Sequence, residues 1–152
     1  MPRSRPPRRS IDSMNALRTE TRARARALQL LYAWEMQGEP ALGGLIDSLL
    51  TLARGRVRGA DRAEWLAKAV VSHRNELDRE IEAVIQGWRM ERVGTVERNI
   101  LRLALIELRD DRVPARVVID EAVQLARWFG GAKSHAFVNG VLDTLARRLG
   151  RL

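Results

Sequence analysis

The stretch from Val96 to Leu108, VERNILRLALIEL, constrains the fold most, because Ile100, Leu101, Leu103, Ala104, Leu105 and Ile106 put apolar side chains nearly all round one helix. Such a helix has no face to give to water, so other elements must surround it. Gly94 and Thr95 punctuate its start, and Asp110 and Asp111 close it. The rest of the chain reads as amphipathic helices able to do the wrapping. One should begin near Thr19 and stop at Gly38, just before Pro40; a second carries Leu42, Leu45, Ile46, Leu49, Leu50 and Ala53 and ends at Gly55. Asp61 followed by Glu64 resembles a capping box. From there Leu66, Val70, Leu77, Ile81, Val84, Ile85 and Trp88 keep a helical rhythm, and nothing in it decides between one long helix and two broken near Ser72 and His73. Pro114 opens a helix with Val118, Ile119, Ala122, Val123 and Ala126 on one face, ending at Gly130 and Gly131. Ser134 is expected to cap the last helix, whose inner face is Val138, Val141, Leu142, Leu145 and Leu149. Gly140 interrupts it at a cost of about 1 kcal/mol, which suggests close packing against a neighbour. No segment alternates with period two. The expected architecture is all-α, one domain of about seven helices, and 152 residues suffice to bury a substantial core.

Charge is concentrated at one end. The net charge is +8, and eight arginines stand against only Asp12 and Glu20 up to Arg26, leaving +2 for everything after it. That distribution suits a polyanion such as nucleic acid. Within the helix from Thr21 to Glu35, steps of ~100° put Ala23, Ala27, Leu30, Leu31 and Trp34 on one face. Arg22, Arg26 and Gln29 lie opposite, with Arg18 extending the stripe and Tyr32 beside it. Arg24 falls at the edge of the apolar face, so the arginines of RARAR cannot all point one way. An aromatic such as Tyr32 next to a basic stripe can stack on an unpaired base. The competing account is a solvated basic face with a half-buried tyrosine. Residues 1–17, including PRSRPPRRS, are expected to form a disordered basic arm ahead of a domain spanning 18–152, and Met14 is a second candidate start. The RGRVRGADR segment reads as a basic loop.

Catalytic constellations are not found. The chain has no cysteine, so disulfides, thiolate metal sites and cysteine nucleophiles are excluded, which is compatible with a reducing cytoplasm. His73 and His135 do not form a metal motif, and Asp120 and Glu121 point ~100° apart on a helix. GGAKS from Gly130 to Ser134 lacks the glycine spacing of a P-loop, Arg127 and Ala132 standing where glycines are needed; with Lys133 at a helix start it remains a candidate single-phosphate site. The four tryptophans, at 34, 65, 88 and 128, fit helical apolar faces and are expected in the core. No run of ~18 apolar residues exists to span a membrane.

Several phrases together resemble the NusB family of bacterial transcription antitermination factors: RARARALQLLYAWE, VERNILRLALIEL, VPARVVIDEAVQLARWFG and SHAFVNGVLD. The likeness runs from about Arg22 to Leu145 and is least distinctive between Thr51 and Gln86. It implies an all-helical fold of two small bundles, no enzyme activity and no cofactor. It also implies pairing with the ribosomal protein NusE, binding of boxA in nascent ribosomal RNA, and work with the other Nus factors on the elongation complex. By position, Arg22, Arg24 and Tyr32 match the family's RNA-contacting first helix, and Lys133, Ser134 and Phe137 match the loop and helix start near RNA. Glu91 and Glu97 match the region facing NusE. Position 133 is often acidic in the family, and the arm before Arg18 is longer than a minimal member needs. Some members self-associate, so a homodimer is an open expectation. Two other readings stand beside this one: a NusB-like RNA-binding appendage of an RNA methyltransferase, and a helical scaffold that binds protein alone.

Overall fold

Seven α-helices and one 3-10 turn, with no strand, make up the described part of a computed structural model, residues 11–51 and 60–152; of 11–18 and 49–51 only the backbone is described. The helices are α1 (Ile11–Met36), α2 (Leu42–Thr51), α3 (Ala60–Ser72), α4 (Arg74–Glu82), α5 (Thr95–Arg109), α6 (Ala115–Phe129) and α7 (Ser134–Arg148), with the 3-10 turn at Met90–Arg92. The all-α expectation and the helix count agree with this. α1 is already helical at Ile11, the first described residue, ahead of the start expected near Thr19, and no proline or glycine stands between Ile11 and Met36 to interrupt it. The expected arm therefore overlaps the first turns of α1, and its residues 1–10 lie outside the described residues, as does the 54–59 part of the basic loop, whose last three residues already belong to α3. The long rhythm after Asp61 resolves into two helices. They break at His73, whose backbone (φ −116°, ψ 15°) leaves the helical region.

Two small bundles share α5. α1, α2 and α3 pack on one side, and α4, α6 and α7 enclose the other, so the helix read as apolar all round is the one every layer touches. Ile100, Leu101, Leu103, Ala104, Leu105, Ile106 and Leu108 are all buried there. α1 contributes Leu28, Leu30, Leu31 and Trp34 to the same core, and the Trp34 indole N–H donates to Pro40 O at 3.1 Å, so the ring is buried without an unmet donor. α1 closes on Gly38 in the left-handed region (φ 78°), with the Glu39 N–H bonded to Trp34 O at 2.8 Å.

Two expectations about packing are overturned. Trp65, Trp88 and Trp128 are not core residues: they are 44%, 57% and 54% exposed, and Trp34 alone of the four is buried. Trp65 and Trp128 stand on helices at the border of the apolar stripe, where a residue of that size extends into solvent, whereas Trp88 lies beyond the end of α4 at Glu82, so the helical rhythm expected through Val84, Ile85 and Trp88 stops short of it. Gly140 does not pack closely against a neighbour either, since a Cβ placed there would meet nothing within 4 Å.

α5 also carries buried polar residues that pin it to α1 and α4. Arg24 on α1 forms a two-pronged ion pair with Glu107, Nε and Nη2 lying 3.0 and 2.9 Å from its oxygens. Burial by itself would lower the pKa of Arg24, but the hydrogen bond and charge of Glu107, with Glu121 and Glu20 behind them, raise it overall. Glu35, further along α1, collects Arg98, Asn99 and Arg102 from α5, and Arg102 turns its other edge to Asp78 of α4 at 2.7 and 2.9 Å. Burial opposes ionisation of Glu35, yet the hydrogen bonds and charges of Arg98 and Arg102 hold its pKa below 4.5. A carboxyl with a depressed folded pKa adds stability that is present above its unfolded pKa and is lost as pH falls through the folded one. Wild type should therefore lose stability in urea unfolding as pH drops below about 4.5. Glu35→Gln should be less stable at pH 7, by about 3 kcal/mol, and should show a flatter acid limb.

Candidate nucleic-acid interface

The arginines at the start of α1 divide by helical phase. Ala23, Ala27, Leu30 and Leu31 must enter the core, which turns Arg22, Arg26 and Gln29 outward and leaves Arg24 between the two sides. Arg22 and Arg26 are exposed, and neither has a carboxylate partner among the described residues; Arg26 makes only a 3.2 Å hydrogen bond to Gln29. Arg24 is 6% exposed and its guanidinium is committed to Glu107 and Glu121. The expectation that it touches RNA does not fit this placement, because its donors are used and water is excluded around them. Its side chain holds α1 on α5 and so sets the direction of its neighbours. Tyr32 is exposed at 44% on the same helix, beyond the arginines. Arg18 lies on α1, but its side chain is outside the described residues.

The second cluster forms where α6 turns into α7. Lys133 is the residue before the first turn of α7 and is exposed. Ser134 does not cap that helix. It is the first helical residue, 8% exposed, and its hydroxyl accepts from the Gly131 N–H at 2.8 Å while donating to the carboxylate of Glu97 at the start of α5. Glu97 therefore occupies the neighbourhood of the α7 N-terminus that the phosphate-site expectation assigned to a ligand. A carboxylate already meets the need for negative charge at this end, so Lys133 is left as a solvent-facing point charge. Gly130 makes the tight turn possible, since a Cβ on it would lie 2.7 Å from Ala126 O and from the Cβ and Oγ of Ser134.

Glu97 and Ser134, assigned by resemblance to two different sites, thus meet in one hydrogen-bonded chain. Glu91 stands apart, exposed within the 3-10 turn. Phe137, 37% exposed, lines with Trp88, Val84, Ile85, Gly140 and Val141 an open groove of about 370 Å³ between α7 and the segment after α4. Gly140 leaves room in that groove, which accounts for the open space at its Cβ. His73 binds Ala69 O through Nδ1 at 2.9 Å, and no cluster of metal-ligating side chains occurs among the described residues. Nor is any helix among them long and apolar enough to cross a membrane.

The buried polar set was missed by sequence periodicity. Its signal was present: Asn99, Arg102 and Glu107 are polar residues inside a helix otherwise apolar all round, and each needs a partner when buried.

Comparison with known proteins agrees with this architecture. The sequence model described as the NusB family matches residues 21–147. A transcription antitermination protein NusB from Anaeromyxobacter dehalogenans is 44% identical over 133 residues, covering 85% of this chain and 91% of that protein. The NusB of Myxococcus xanthus is 39% identical over 143 residues, covering 91% and 99%. Among solved structures, a crystal structure of antitermination factors NusB and NusE in complex with double-stranded RNA superposes with a TM-score of 0.76 at 30% identity, covering 86% of this chain and 98% of that one.

The loop geometry makes a direct prediction. Gly130→Ala should cost about 1 to 3 kcal/mol by overpacking, whereas Gly131→Ala, whose Cβ would sit an ordinary 3.7 Å from Ser134 Oγ, should be nearly neutral in urea unfolding.

Proposed function

Because this chain belongs to the NusB family, we propose that it is an RNA-binding transcription antitermination factor that pairs with the ribosomal protein NusE and binds boxA of nascent ribosomal RNA transcripts. Arg22 and Arg26 carry the reading. They are exposed on one side of α1 without a carboxylate partner among the described residues, while Arg24, Arg98 and Arg102 are consumed by carboxylates. A guanidinium without a carboxylate partner is available to a phosphate, which it can grip with two donors at once. Tyr32 supplies a face for an unpaired base, and Lys133 adds a second point of positive charge at the α6–α7 turn.

Arg24 and Ser134 act on RNA indirectly in this reading. Arg24 sets the rotation of α1 through Glu107, and Ser134 holds the turn that presents Lys133 through Glu97 and Gly131. NusE is assigned the side bearing Glu91 and the groove of Trp88 and Phe137, whose exposed apolar surface suits a protein partner. Phe137 then borders both partners. The protein works in the cytoplasm with the other Nus factors on the elongating polymerase and performs no catalytic step. Self-association would compete for the same exposed surfaces.

A titration of single-stranded boxA RNA, with and without NusE, tests the reading. Affinity should fall steeply with salt, because each neutralised phosphate releases counterions. The double variant Arg22→Ala, Arg26→Ala should bind more weakly and lower the salt slope by about 1 to 2, with its thermal midpoint nearly unchanged because both side chains are solvated. Absence of RNA binding with and without NusE would favour a helical scaffold that binds protein alone.

A further inference from the structure

Trp128 is more exposed than a residue of its size needs to be, and its place in the fold is set by a contact two turns away. On α6, Glu121 faces α1, accepting a hydrogen bond from Thr21 Oγ1 at 2.9 Å and lying 3.6 Å from Arg24. Trp128 follows it by seven residues, which returns to within ~20° of the same side and advances ~10 Å along α6. On α1, Tyr32 follows Thr21 by eleven residues, again within ~20° of the same side and ~16 Å further on. The two helices run in the same direction, since each is antiparallel to α5: Arg24 meets Glu107 and Glu35 meets Arg98, while Val118 lies by Glu107 and the Gly130 turn lies by Glu97. Tyr32 and Trp128 therefore lie on the sides of α1 and α6 that meet at the Thr21–Glu121 bridge, each further along its own helix. Both are about half exposed. Phe129 meets Trp128 in a T-shaped contact, 6.5 Å between centroids at 88°, which steadies the indole while it stays 54% exposed.

Charge identifies what such a pair of rings would receive. Arg22 and Arg26 line the outer rim of α1, Lys133 stands beyond Trp128 at the end of α6, and none of the three has a carboxylate partner among the described residues. Glu121, the acid at the bridge between the two helices, is partnered by Arg24. We propose that Trp128 is an RNA-binding residue, stacking on an unpaired base of the same single-stranded RNA that reaches Tyr32, while Arg22, Arg26 and Lys133 hold its phosphates. This rests on the RNA-binding reading above and adds to it a residue and a direction for the strand, along α1 towards Lys133.

The test is fluorescence anisotropy with a labelled single-stranded boxA oligoribonucleotide and the full chain, NusE present, across a salt series. Trp128→Ala should weaken binding at least about fivefold with the salt slope unchanged, since stacking releases no counterions. Trp128→Phe should retain most of the affinity. Trp65→Ala is the control: Trp65 is 44% exposed on α3, stacked under Arg62 at 4.4 Å, and Arg62 approaches α1 from the side of Glu20. It should bind as wild type does. Wild-type affinity for Trp128→Ala, or equal losses for Trp128→Ala and Trp65→Ala, would overturn the stacking assignment alone. Failure of the wild type to bind would overturn the RNA reading and this inference together.

Discussion

The placement of every surface feature on α1 depends on the buried pairing of Arg24 with Glu107. A guanidinium and a carboxylate removed from water together are tolerable only when each fills the other's hydrogen bonds, and removing one partner leaves a stranded charge worth several kcal/mol. Here the geometry is two-pronged and nearly dry, 2.9 to 3.2 Å with both side chains under a tenth exposed. That pairing tolerates little rotation of α1 about its axis. With Arg24 held inward, Arg22 and Arg26 must point outward, and Glu121 is drawn to the same guanidinium from α6. One internal contact therefore orients α1 against both α5 and α6.

At the other end of α1 the Glu35 cluster does for the two bundles what Arg24 does for the helix. Arg98, Asn99 and Arg102 approach Glu35 from α5, and Arg102 continues to Asp78 on α4. Three helices from both bundles are joined through one chain of charge-assisted hydrogen bonds. Apolar packing around α5 would permit small slides between the bundles, because Leu and Ile contacts have little directional preference. The polar chain is directional, and so selects one arrangement. A shorter chain of the same kind, Glu97 to Ser134 to the Gly131 N–H, ties the start of α5 to the turn before α7. It joins the residue expected at the NusE face to the loop that presents Lys133, so the two binding regions share a mechanical element.

Much of the fold was legible in the sequence because periodicity reports burial directly. The apolar circumference of Val96 to Leu108 marked the central helix, and Pro114, Gly38 and Gly130 marked boundaries that the structure keeps within a residue or two. The tryptophans misled for the same reason that periodicity works: it reports direction and not depth. Trp65 and Trp128 keep their helical positions yet stay exposed, while Trp88 falls after α4 has already ended. Gly140 misled because a missing side chain serves equally well for close approach and for open space, and only the neighbours distinguish the two.

For the candidate interface, the sequence by itself determined the concentration of positive charge at one end, the all-α class and the outward phase of Arg22 and Arg26, since each follows from composition or from a ~100° step along one helix. Only the tertiary structure decided that Arg24 is buried against Glu107, that Ser134 bonds Glu97, and that Thr21 of α1 meets Glu121 of α6. Those are relations between residues 37 to 100 positions apart. No local period encodes them, because they depend on which way one helix is turned against another.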